Sequence, residues 1–94
     1  MALEKVGYSV VESGTAKQVK TGPSGLFGVT MTEGTGGTVT VYDDNAGGTS
    51  VVLVAKGAMS IGDTIHFGGI GLAASKGLYA VVSGTGVKMN VLYT

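Results

Sequence analysis

The chain has 94 residues, 44% of them hydrophobic and 13% charged, with six lysines balancing six acids and no arginine or cysteine. The missing cysteines exclude disulfide and thiolate-metal stapling, and the missing basic stripe argues against a nucleic-acid partner. The length fits one small domain over residues 1–94, which buries roughly 60–65% of its unfolded surface on folding.

A soluble domain carries about 25% charged residues. Here the mean hydropathy is +0.40, so apolar side chains exceed what a thin interior can hide. Partner subunits are the simplest cover for the surplus.

The first segment, Met1–Gly7 (MALEKVG), lacks the apolar core run of a secretion signal, which predicts synthesis in a cytoplasm. It reads either as an N-terminal arm reaching a neighbouring subunit or as the frayed start of an edge strand. No stretch approaches the roughly 18 apolar residues of a membrane helix, so no membrane partner is expected. Eighteen glycines and a single proline, among recurring Val and Thr runs, favour strands over helices. Strands are expected near Val6–Glu12, Ala16–Lys20, Leu26–Glu33, Thr38–Tyr42, Ser50–Lys56, Thr64–Phe67, Gly77–Ser83 and Val87–Tyr93. Their spacing of about ten to twelve residues predicts an all-β fold, a compact antiparallel jelly-roll-like β-sandwich of about eight short strands.

Between the strands, Thr21–Gly25 (TGPSG), Gly34–Gly37 (GTGG) and Gly84–Gly86 (GTG) read as turns, because glycine adopts positive φ at little cost. Asp43–Gly48 (DDNAGG) reads as a longer tip with side chains suited to Asx turns. Leu72–Lys76 (LAASK) is the one segment expected to make a helical turn.

Alternation assigns the faces. Phe27, Val29 and Met31 share one face, Val39 and Val41 another, and Val87, Met89, Val91 and Tyr93 a third. These are the expected core. The opposite faces mix polar residues with Tyr42 and Leu92, which suits a surface meeting a partner. Strands Ser50–Lys56 and Leu78–Val82 are apolar on both faces, as in strands buried internally or covered by another chain.

Candidate chemistry is sparse. Asp43-Asp44-Asn45 is the densest oxygen cluster, but no alternating carboxylates follow it as calcium binding would need, so a solvated turn is expected. His66 is the single histidine, whereas a catalytic metal needs about three protein ligands. Lys20-Thr21-Gly22 matches one triplet of the penicillin-binding enzymes, whose Ser-x-x-Lys and Ser-Asp-Asn partners are absent. Gly34–Gly37 lacks the Gly-Lys-Ser/Thr ending of a phosphate loop. No catalytic, metal or cofactor residue is therefore expected, and an enzyme is not. Tyrosine favours boundaries between buried and wet regions, which makes Tyr42 and Tyr79 candidates for an interface and Tyr93 a candidate for the core.

The run GTVTVYDDNAGGTSVVL (Gly37–Leu53) and the closing GLYAVVSGTGVKMNVLY (Gly77–Tyr93) resemble small virion proteins of tailed bacteriophages. In those proteins a Val-rich strand ends in Tyr-Asp, passes a short Asn/Gly tip and enters a second Val-rich strand. Lys76-Gly77-Leu78-Tyr79 and Val91-Leu92-Tyr93 stand where the family closes, and the resemblance spans roughly Ala16 to Thr94. It implies a jelly-roll or related β-sandwich on the capsid surface of a virion, made in the host cytoplasm. Such a protein is expected to be a homotrimer that decorates or cements the shell between major capsid protein subunits. The residues expected to contact other copies or the capsid are Leu3, Tyr8, Tyr42, Tyr79 and Leu92. The rival expectations are a lectin-like or receptor-binding tip domain, marked by an exposed aromatic shelf beside Asp43–Gly48, and a head–tail adaptor or tail component.

Overall fold

The computed structural model describes residues 6–67 and 71–94. Among these residues seven strands form one antiparallel sheet: β1 Gly7–Glu12, β2 Lys17–Thr21, β3 Ser24–Tyr42, β4 Val52–Met59, β5 Thr64–His66, β6 Leu72–Ala74 and β7 Gly77–Tyr93. No helix occurs among the described residues. The all-β antiparallel class expected from the glycine, valine and threonine content is the class observed.

The organising feature is a ribbon of two long strands. β3 and β7 pair from Leu26 opposite Tyr93 to Tyr42 opposite Tyr79. β1 and then β2 add to the free side of β7, while β4, β5 and β6 add to the free side of β3. The sheet is thus four strands wide, with its two outer strands assembled from pieces.

The ribbon is folded across its middle. Nineteen extended residues of β3 would span about 60 Å, yet the longest dimension of the molecule is 40 Å. Both ends of β3 reach the same place: Ser24 pairs with Ala74, and Asp43, just past the other end, bonds the backbone of Ser75. The fold-over lies where the pairing register of β3 with β7 slips, between Met31 and Thr38. Two half-sheets result, one holding β1, β5, β6 and the distal half of β7, the other β2, β4 and its proximal half. They face each other as a sandwich.

Glycine permits the bend. Gly34 sits at φ +99°, and a Cβ there would lie 2.5 Å from the Val87 Cα. At Gly37 a Cβ would lie 2.6 Å from the Met31 Sδ and 2.9 Å from the Met89 Cε. Residues 31 and 37 meet only because the strand doubles back between them.

Three expectations are corrected here. Gly34–Gly37 and Gly84–Gly86 do not turn hairpins; β3 and β7 run through them for 19 and 17 residues. The glycines bend a paired ribbon whose ladder slips in register at the bend and resumes on both sides of it. Leu72–Ala74 is strand rather than helical turn, because three residues gain more from pairing with Ser24–Leu26 than from an isolated turn.

The core fills the space between the half-sheets. Cross-strand rows Val11–Met89–Met31 and Val91–Val29 line one side, and Val39, Val41, Leu78, Ala80 and Val82 line the other; all are buried. The expected faces hold except at Phe27 and Tyr93. A bulge at Phe27, between the pairs at Leu26 and Gly28, carries Leu26 into full burial and leaves Phe27 half-buried, outside the fully buried core. Tyr93, expected in the core, is half-buried against it. β4 is an outer strand whose Val52 is 54% exposed, so of the two expectations for it, internal burial or cover by another chain, internal burial is not met.

Candidate functional surfaces

Two surfaces gather the residues singled out in the sequence. The first lies on β1. Its inner face carries Ser9 and Val11, opposite Val91 and Met89. Its outer side, with Val6 just before the strand, presents Val6, Tyr8 and Val10, which are 47%, 66% and 40% exposed. Tyr8 stands directly across from Leu92, and Val10 from Asn90. Tyr8 and Leu92 are therefore neighbours, and along the outer face beyond them runs a ladder of polar groups. In that ladder the hydroxyls of Thr30 and Thr64 lie 3.0 Å apart, and Lys88 Nζ pairs with Glu33 at 3.3 Å and Glu12 at 3.6 Å. Hydrogen bonding and the charge of Glu33, then the charge of Glu12, raise the Lys88 pKa above its ordinary 10.5.

A shallow groove of about 390 Å³ runs beside the same strand, lined by Val10, Glu12, Thr15, Ala16 and Lys17. Sequence reasoning named Tyr8 and Leu92 but missed Val6, Val10 and Lys17. The period-two spacing of Val6, Tyr8 and Val10 was readable. That β1 ends the sheet, with no strand of the described residues beyond it, was not.

The second surface belongs to the other half-sheet. Tyr42 and Tyr79 are cross-strand partners with ring centroids 6.3 Å apart and planes tilted by 37°. Both are half-buried. The Asp43–Gly48 tip folds over them, and a Cβ on Gly47 would be 3.7 Å from the Tyr79 ring. Leu3 lies outside the described residues.

The oxygen cluster in that tip is committed to the fold. The Asp43 carboxylate accepts from the backbone N–H groups of Ser75, Lys76 and Gly77 and from the Ser75 hydroxyl, tying the end of β3 to the turn between β6 and β7. Asp44 accepts from the N–H groups of Ala46 and Gly48 at 2.7 and 2.8 Å, an Asx turn closing its own loop. The Gln18 side chain anchors the tip from below, donating to the Asp44 carbonyl and accepting from the Gly47 N–H. These bonds favour the ionised carboxylates. The N–H of Lys76, then that of Ser75, lowers Asp43, and the N–H groups of Ala46 and Gly48 lower Asp44, both below the ordinary 3.8.

His66 is exposed on β5, opposite Gly28. Among the described residues no three His, Cys, Asp or Glu side chains converge as metal ligands. What the described residues offer is apolar contact and an unpaired strand edge on β1.

No family model, curated protein or solved structure matches the chain.

Proposed function

We propose that this chain is a non-enzymatic structural protein of a virion, a decoration or cement protein that sits between major capsid protein subunits and stabilises the shell, acting as a homotrimer. The observation that carries the reading is the uncovered apolar row Val6–Tyr8–Val10 beside Leu92, on a molecule with 13% charged residues. Apolar side chains lined up on an outer strand suit association through area and shape. Many such contacts around a symmetric shell hold firmly even when each is weak, because attachment at one raises the effective concentration at the next.

The test is co-sedimentation with shells assembled from the major capsid protein, together with the solution mass of the protein alone. Saturable binding, lost when Tyr8→Asp and Val10→Asp are combined, supports the reading. A monodisperse 9.3 kDa species with no affinity for shells overturns it.

A second reading, a glycan-binding tip, draws on the Tyr42–Tyr79 pair beside the Asp43–Gly48 loop. Its weakness is that both rings are half-buried and the loop's oxygens already serve the fold. A silent glycan array removes it.

A further inference from the structure

We infer that the free edge of β1 is a docking site for an extended polypeptide strand that carries an acidic side chain, added to the sheet by backbone hydrogen bonds. The inference goes beyond decoration of a shell and holds whichever protein supplies the strand.

The direction of the backbone groups follows from the register. In an antiparallel pair, residues whose N–H and C=O face the partner alternate with residues whose groups face away. The Ser13 N–H donates to the Val87 carbonyl at 2.8 Å, so the odd-numbered residues of β1 are the ones bonded to β7. Tyr8 and Val10, opposite Leu92 and Asn90, then point their N–H and C=O groups away from the sheet. The Val10 carbonyl shows this directly, since it accepts from Lys17 Nζ at 3.4 Å rather than from a strand. Among the described residues no strand pairs with this side of β1.

Backbone donors and acceptors, exposed Tyr8 and Val10 side chains, and the groove lined by Val10, Glu12, Thr15, Ala16 and Lys17 therefore coincide, with the Glu12 carboxylate paired to Lys88. This is the combination that strand addition uses: main-chain bonds for affinity, alternate side chains for specificity.

Charge selects the occupant. The ion pairs among the described residues all belong to Lys88, which engages Glu12 and Glu33. Among the described residues Lys17 has only the weak bond to the Val10 carbonyl, and it stands where an incoming strand would lie. A lysine on an edge discourages stray pairing, and a carboxylate on the incoming strand removes that penalty. A second copy of β1 would instead bring a second Lys17 to the groove, with its Glu12 already engaged.

The test uses the whole chain and two ten-residue peptides, alternating valine with threonine and carrying one central glutamate or one central lysine. Amide hydrogen exchange is followed residue by residue. The glutamate peptide is expected to slow exchange at Tyr8 and Val10 while leaving Ser9 and Val11 unchanged, and to bind at least five-fold more tightly than the lysine peptide. Lys17→Glu reverses the preference and Lys17→Gln abolishes it, each in a protein whose circular dichroism is unaltered. No protection at Tyr8 and Val10 with either peptide at millimolar concentration overturns the site. Equal binding of both peptides overturns the role of Lys17. Protection that rises with protein concentration alone shows self-pairing and overturns the choice of occupant. Shell binding is measured separately, so failure here and failure of the decoration reading are distinct results.

Discussion

At the scale of single residues, the glycines of the bend differ in what they do. Gly34 and Gly36 both have positive φ, at +99° and +65°, but a Cβ on Gly34 would meet the Val87 backbone while one on Gly36 meets nothing within 4 Å. Gly36→Ala therefore costs about 1–2 kcal/mol, the ordinary penalty for a side chain in that conformation. Gly34→Ala adds a clash that only backbone movement relieves and costs about 3 kcal/mol or more. Urea unfolding of the two variants separates them; equal losses would mean the close approach at Val87 is not as described. Asp43 is the other residue whose work exceeds its appearance, because one carboxylate closes the turn that links the half-sheets. Asp43→Ala strips several N–H groups of their acceptor at once and is expected to lower the melting temperature by about 5 °C or more. Asn45→Ala, at an exposed position in the same tip, serves as the control and leaves it within a degree or two.

At the scale of elements, stability rests on the β3–β7 ribbon. Met89 is fully buried, between Val11 on one side and Met31 on the other, beneath the bend at Gly37. It is thus the point where both half-sheets meet. Met89→Ala is expected to cost about 2–5 kcal/mol, measurable as a fall in the urea midpoint with little change in slope. A loss below about 1 kcal/mol would mean that the halves do not share one core there. The pieces on the outside contribute less: β5 and β6 are three residues each and depend on β3 for all their pairing. The strand positions were legible from Val, Thr and Gly spacing, but the joins were not. A glycine cluster signals departure from regular strand, and the same residues serve a hairpin or a bent, continuous ribbon. Which of the two forms depends on partners far away in sequence.

At the scale of the whole molecule, charge sets the pH range. Asp43 and Asp44 have folded pKa values below 3.8, so the unfolded chain binds protons first as pH falls. Their contribution is complete above the ordinary aspartate range and is lost as pH drops through the folded values. Lys88 runs the other way: its folded pKa lies above 10.5, so its contribution is present below the unfolded value and lost as pH rises past the folded one. Melting temperature against pH is therefore expected to show a plateau with an acid and an alkaline limb. Asp43→Asn shallows the acid limb and leaves the alkaline one unchanged, while Lys88→Gln shallows the alkaline limb. A limb that starts near neutrality would require another titrating group.

The sequence by itself determined the class of fold, the alternating core positions and the surplus of apolar surface, because these follow from local spacing and composition. Val29, Met31, Val39, Val41, Val87, Met89 and Val91 are buried as their alternation dictates. Tertiary structure alone decided that β1 would end the sheet among the described residues, that Tyr8 would sit beside Leu92 and away from the Tyr42–Tyr79 pair, and that Lys17 would stand beside the outer edge of β1. Exposure of a strand depends on which other strands pair with it, and those partners lie up to the full length of the chain away. No local pattern carries that information.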